Sequence, residues 1–367
     1  MPRHSPCDRA LKMPAARVTV VVLGPLPPPQ HGAARVTAAF ADLFGDRPHV
    51  ALRTFDTSAA GRTGARYHAV RLRTHLYAAV FLASARASGP RVLYVGGAGG
   101  WGLLHQLVVV AVAKARGFTV AFHHHSYAYL GRRAAPAAAL VRVLGRHDVH
   151  IVLCDRMADD LSRRYAPRGR VVTLSNAAFT AIPPPPPARD GAPYAIGHLS
   201  NLSAAKGLGQ TITAMRRLLA ERPDARAALA GPAAAESDRA RIDALTREFP
   251  GRATYHGALP HEDVAAFLGG LDLFLFPSRY RHEAEPLVVL EALAAGTPVL
   301  AYDVGCLGSM GGGVTTVEPS ADFAEAVLDA ARQSDARHDV AESFAQRRAR
   351  SRAIADALVD DLVGARS

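Results

Sequence analysis

Five consecutive prolines at residues 183–187 constrain this 367-residue chain more than any other feature. A proline ring fixes φ and removes the backbone N–H, so such a run can enter neither a helix interior nor a central strand. It forms a stiff extended spacer. It therefore predicts two folded units, residues 13–181 and 191–340, joined by a linker at 182–190. Residues 1–12 read as a loose basic tail, with Met13 as a candidate start. Residues 341–367 read as a C-terminal helix that crosses back to the first unit.

Both units alternate short β-rich runs with longer helical stretches. In the first, strands are expected at residues 18–23, 91–95, 118–122, 150–153 and 171–174. Helices are expected at 34–43, 67–86, 101–116, 134–144 and 157–165. In the second, strands at 194–196, 227–229, 254–255, 271–276 and 298–302 alternate with helices at 209–221, 235–248, 262–268 and 286–295, and the tail from Ala321 is helical. Apolar runs that stop at Gly or Pro, with helices between them, indicate parallel sheets covered on both faces. The expected fold is α/β: two Rossmann-like, doubly wound domains with a ligand cleft between them at the carboxyl ends of the strands.

The composition, 49% hydrophobic and 20% charged, excludes a disordered or fibrous chain. Three scattered cysteines are too few for a disulfide framework or a zinc site, so a reduced intracellular setting is expected. No apolar run reaches the ~18 residues that span a bilayer, and the N-terminus does not read as a signal peptide. Residues 1–180 carry 24 Lys and Arg against eight Asp and no Glu, a net +16, while the remainder carries −5. A basic half fits an anionic partner, although a preference for Arg over Lys also reflects genome composition. A nucleic-acid partner is disfavoured, because aromatic interleaving and any binding motif are missing.

The chemistry concentrates after Pro277-Ser278. Glu283 falls in a loop and Glu291 lies eight residues on, inside the helix that Pro286 opens and Gly296 and Pro298 close. The N-terminus of that helix is a ready anion site. Pro277, Ser278, Glu283, Leu287, Glu291, Ala292, Ala294, Gly296, Pro298 and Val299 match the E-x7-E signature, and the chain here resembles glycosyltransferase family 4, the "glycosyl transferases group 1". The resemblance implies a GT-B fold and a retaining transferase of the EC 2.4 class that uses a nucleoside diphosphate sugar. By the same resemblance Glu283 contacts the donor sugar and Glu291 the ribose, with Ala284, Glu285 and Leu287 in the donor loop. The family's G-F-G is replaced here by Ala284-Glu285-Pro286, and Pro286 has no N–H to give.

Gly197-His198-Leu199 with Lys206-Gly207 resembles the family's G-R-L-x-x-x-K-G, in which an Arg and a Lys neutralise the diphosphate. Here His198 stands for the Arg, Lys206 remains, and Asn201 is a candidate substitute donor. Gly24-Pro25 through Gly32-Ala33 resembles the family's first glycine loop. It also reads as a plain strand-to-helix turn. Among His123, His124 and His125, the resemblance points to His125 as the catalytic histidine reaching the sugar, with His123 next. A metal at the histidines is disfavoured, since only alternate residues of an extended chain share a side. Gly97, Gly99 and Gly102 match G-x-G-x-x-G, but the acid about 20 residues on that an NAD site requires is missing, so this is another cleft loop. No D-x-D occurs, and neither cofactor nor metal is expected.

Residues 67–84 read either as a basic amphipathic membrane-surface helix or as a core helix with a solvated face. The expected partners are a nucleotide-sugar donor, a glycan or lipid-linked acceptor and an anionic membrane surface. The expected place is the cytoplasm, peripheral at the inner face of the membrane, in envelope or exopolysaccharide synthesis. The alternative is a catalytically silent sugar-nucleotide-binding protein on the same scaffold.

Overall fold

The computed structural model describes residues 18–28, 32–59, 61–62, 64–85, 89–100, 102–184, 192–333 and 339–364. The tail at 1–12, Met13, Arg86, Trp101 and most of the proline linker lie outside the described residues. The first unit runs β1 (Val18–Gly24), α1 (Gly32–Gly45), β2 (Val50–Asp56), α2 (Gly64–Ser84), β3 (Arg91–Gly96), α3 (Gly102–Ala115), β4 (Thr119–His123), α4 (Ala135–Val143), β5 (Val149–Val152), α5 (Asp155–Tyr165) and β6 (Arg170–Thr173). Its sheet is parallel throughout, in the order β2-β1-β3-β4-β5-β6.

The second unit runs β7 (Ala195–Leu199), α6 (Leu208–Glu221), β8 (Arg226–Ala230), α7 (Glu236–Glu248), β9 (Ala253–Tyr255), α8 (His261–Gly269), β10 (Leu273–Phe276), α9 (Leu287–Ala294), β11 (Val299–Tyr302), β12 (Val314–Val317), α10 (Phe323–Arg332) and α11 (Val340–Leu362). Its parallel sheet has the order β12-β11-β10-β7-β8-β9. Read from the other edge, this is the doubly wound order in which strand sequence reverses at one point, here between β7 and β10.

The central strands are buried on both faces, and their β-branched sequence suits that environment. In β1, for example, residues 20–23 are fully buried. The edge strands β2 and β12 escape the sequence reading. β2 has four exposed residues of seven, Arg53 among them, and so lacks an apolar run. Gly24 and Gly96 let α1 sit hard on the strand ends. A Cβ on either would come within 2.9 Å of the Thr37 side chain.

Two features join the units. The N-terminal part of α11 packs Val340 and Phe344 with Leu290 and Leu293 of α9. Its C-terminal part packs Ala355, Leu358, Val359 and Leu362 with Phe40 and Phe44 of α1. Arg47 adds an ion pair to Asp360 at 2.9 Å. The second feature corrects the sequence reading of the cysteines. Cys154 and Cys306 lie 152 residues apart, yet their Cα atoms are 5.8 Å apart and the two form a disulfide. Cys154 precedes α5 in the first unit and Cys306 follows β11 in the second. Spacing along the chain could not show this, because the facing of two separate strand-end loops creates the pair. Among the described residues no helix is long and apolar enough to cross a membrane.

Candidate active site

The strand ends at the β7/β10 switch point open into a cleft of ≈ 890 Å³. Gly32, Arg35 and His125 reach it from the first unit, and Asn201, Lys206, Glu283 and Glu291 from the second. The loop after β7 closes in a short 3-10 turn, Ala204–Lys206, whose N–H at Lys206 is capped by Ser203 Oγ at 3.3 Å. Gly207 follows with φ +80°, and a Cβ there would lie 2.0 Å from the Pro277 carbonyl oxygen. Only glycine allows that approach, and it brings the β7 and β10 loops together. Lys206 Nζ then donates to Glu283 Oε2 at 2.6 Å and stands 4.9 Å over the Tyr280 ring. Ser278 Oγ donates to the same carboxylate oxygen at 2.9 Å. The Glu283 loop is held from behind by Cys306, whose N–H donates to the Ala284 carbonyl at 2.8 Å. The disulfide partner is therefore fastened to the backbone of the Glu283 loop.

Glu291 lies about one turn into α9, and its Oε1 accepts a charged hydrogen bond from Arg35 Nη1 of α1 across the cleft. Leu287 opens α9 and faces Gly32, which opens α1. A Cβ on Gly32 would be 3.3 Å from Leu287 Cγ. Two helix N-termini thus abut at the cleft, and neither has an acidic residue in its first turn. Such ends attract anions.

The histidine run resolves by alternation. His123 and His125 stack at 3.9 Å between ring centroids, and His124 turns away to Tyr129 Oη and His150 Nδ1 at 2.8 and 3.1 Å. His123 is fully buried behind the cleft, its Nδ1 2.8 Å from Tyr94 Oη. His125 lines the cleft, and its Nε2 is out of solvent with no protein partner among the described residues. Burial pushes its pKa down to about 4, so the ring is neutral at pH 7.

Two residues expected to meet the donor turn their polar groups elsewhere, although Glu285 lines the cleft. His198 does not line the cleft. It is fully buried, with Nδ1 2.8 Å from the Leu275 carbonyl and Nε2 2.8 Å from Ser200 Oγ. Burial lowers its pKa to about 4, with the Lys206 charge adding to the effect. A neutral ring with both nitrogens engaged supplies no charge to a diphosphate. Glu285 turns its carboxylate to the first unit, accepting from Ser175 Oγ and the Asn176 N–H, each at 2.6 Å. Burial raises its pKa to about 7 against the lowering effect of those bonds. Glu285 therefore ties the Glu283 loop to the segment that leads into the proline linker. Asn201 and Ala284 line the cleft as expected.

A second cavity of ≈ 560 Å³ adjoins the first and shares Ser126, Tyr280 and His282 with it. Gly99, Gly100 and Leu103 form one wall, so the glycine-rich loop is a cleft loop. Among the described residues no group of three His, Cys, Asp or Glu could hold a metal ion. Sequence reasoning missed Arg35, Tyr280, His282 and the cysteine pair. Arg35 left one faint signal, an Arg directly after the first glycine loop.

Residues 184–347 match the family model described as glycosyl transferases group 1. The match lies over the C-terminal unit, less than half of the chain. It is 33% identical over 126 residues to the GDP-mannose-dependent monoacylated alpha-(1-6)-phosphatidylinositol monomannoside mannosyltransferase of Corynebacterium glutamicum, covering 33% of this chain and 31% of that one. It is 28% identical over 190 residues to a glycogen synthase of Mycobacterium tuberculosis, covering 50% and 44%. The chain thus spans less than half the length of these curated relatives. The fold is that of GT-B transferases. Sucrose-phosphate synthase from Thermosynechococcus elongatus superposes with a TM-score of 0.68 at 18% identity, covering 95% of this chain and all of that one. Anabaena HepE in complex with UDP gives 0.60 at 13%, covering 95% and 98%.

Proposed function

We propose that this chain is a group 1 glycosyltransferase, retaining and metal-independent. It moves a sugar from a nucleoside diphosphate sugar to a glycan or lipid-linked acceptor in envelope or exopolysaccharide synthesis. The observation that carries the reading is the Lys206–Glu283 pair at the switch-point cleft, with Glu291 inside the neighbouring helix. In this reading Glu291 accepts from the ribose hydroxyls and Glu283 from hydroxyls of the sugar. As the bond between the anomeric carbon and the diphosphate oxygen breaks, negative charge grows on the leaving phosphate. Lys206 and the abutting helix ends stabilise it. The leaving phosphate takes the proton of the acceptor hydroxyl, which attacks from the same face, so configuration is retained. Neutral His125 contacts the sugar from the other side of the cleft.

A relative whose name specifies GDP-mannose and a phosphatidylinositol acceptor, and a fold relative in complex with UDP, support a GDP- or UDP-linked donor and a lipid-linked acceptor. The surface supports the acceptor class. Leu72, Leu76, Tyr77 and Val80 of α2 and Leu104 and Val108 of α3 are all exposed. The surrounding residues 57–147 contain twelve Lys and Arg and not one Asp or Glu. An apolar stripe in a field of one positive sign fits an anionic leaflet, and the second cavity lies beside α3 where an acceptor head group would enter.

The test is release of nucleoside diphosphate from UDP- and GDP-sugars with lipid-extract and glycan acceptors, run with and without excess EDTA. Turnover that persists in EDTA is expected. Nucleotide binding without turnover on any acceptor would leave the silent binder. Turnover lost to EDTA and restored by Mg²⁺ or Mn²⁺ would overturn the metal-free step.

A further inference from the structure

Burial of His198 leaves a charge problem. A donor diphosphate brings about two negative charges into the cleft, and Lys206 alone answers them from the second unit. Among the described residues lining the cleft, only Lys206 and Arg35 are Lys or Arg. Arg35 belongs to the opposite unit. Its helix is anchored by buried Val36, Phe40 and Phe44 and held against the strand ends through Thr37, so its position is set by the N-terminal core. Its guanidinium already crosses the cleft to Glu291, at the junction of the two helix N-termini.

We propose, resting on the functional reading above, that Arg35 is the second cation for the donor diphosphate, supplied by the first unit in place of the arginine that the β7 loop lacks. The guanidinium has five N–H donors in a planar fork. One sits on Glu291, and the others can meet phosphate oxygens. Because Arg35 and Lys206 stand on different units, the diphosphate is neutralised from both sides of the cleft. Without donor, the two cations neutralise Glu291 and Glu283. This keeps the ribose and sugar carboxylates from repelling the incoming diphosphate.

The experiment compares UDP and GDP with their nucleosides, uridine and guanosine, by calorimetric titration of the wild-type chain, Arg35→Ala and Arg35→Lys. The preferred nucleoside diphosphate should bind Arg35→Ala about ten- to a hundredfold more weakly. The matching nucleoside should bind as well as before or better, because Glu291 is released. Arg35→Lys keeps the charge and should recover part of the loss, which also controls for misfolding. Wild-type protein that binds neither diphosphate overturns the functional reading, and this assignment falls with it. If wild type binds but Arg35→Ala binds the diphosphate equally well, or loses nucleoside and diphosphate affinity alike, Arg35 is only a latch on Glu291. The assignment is then overturned while the functional reading stands.

Discussion

Gly207 and Glu291 show how single residues set this site. Gly207→Ala places a Cβ where the Pro277 carbonyl already is, at a φ of +80°. The expected cost is about 1–3 kcal/mol from the left-handed backbone, with the clash in addition. The loop that carries Lys206 must shift, so turnover should fall together with the denaturation midpoint. A variant with wild-type stability and activity would contradict the close approach. On the proposed reading Glu291→Ala removes charge-assisted bonds to the ribose, and it should weaken nucleoside binding by about 1.5–3 kcal/mol. Calorimetric titration with the nucleoside checks this, and unchanged affinity would remove Glu291 from the ribose role.

At the scale of elements, α2 is the informative case. Its buried residues are His75, Ala78 and Leu82, and a whole face from Leu72 through Val80 is left to solvent. The sequence left open a core helix or a surface helix, and this exposure favours the second. Each Arg near an anionic leaflet contributes roughly 1 kcal/mol, decaying within a Debye length. Binding to anionic vesicles should therefore exceed binding to neutral ones and be stripped by high salt. Leu76→Asp with Val80→Asp should abolish it without loss of fold, because both side chains are exposed. Co-sedimentation measures this, and equal weak binding to both vesicle types would point to a soluble acceptor.

Across the whole molecule, buried histidines and the disulfide govern stability. Burial lowers the pKa of His75, His125, His150 and His198 from 6.5 to about 4, and that of His123 and His124 well below 6.5. In the unfolded chain they take up protons once pH falls below 6.5, while the folded chain resists until about 4. Their contribution is thus complete above 6.5 and is lost as pH falls toward 4. Glu285 acts in the opposite sense: its contribution is complete below the unfolded value of 4.5 and is lost as pH rises toward 7. One carboxyl does not offset six imidazoles. The melting temperature should drop between pH 6.5 and 5, with a loss on the order of a few kcal/mol. A flat profile over that range would refute the buried, neutral cluster. Reducing the disulfide, which closes a loop of 152 residues, should cost about 4–5 kcal/mol in the chain-entropy account. Cys306→Ala should reproduce the effect of a dithiol reductant on the melting temperature. The same variant keeps the backbone bond from Cys306 to Ala284 but loses the covalent tie of that segment to Cys154, so the Glu283 loop should loosen.

The sequence alone determined the architecture and the locations of its loops. Apolar runs ending at glycine mark strands whose both faces are buried, and that pattern is local. It failed only at β2 and β12, where edge exposure removes the apolar run. Glu283, Lys206 and Glu291 were legible because a spacing pattern preserves them on the chain. The pairings were not. Cys154 with Cys306, Glu285 with Ser175 and Arg35 with Glu291 each cross from one unit to the other over more than 100 residues. His198 also looked like a cleft residue until its ring was found beneath the loop, between the Leu275 carbonyl and Ser200. Local periodicity reports which face of an element is apolar. Only the docking of one sheet against another decides which polar side chains meet and which are taken out of water.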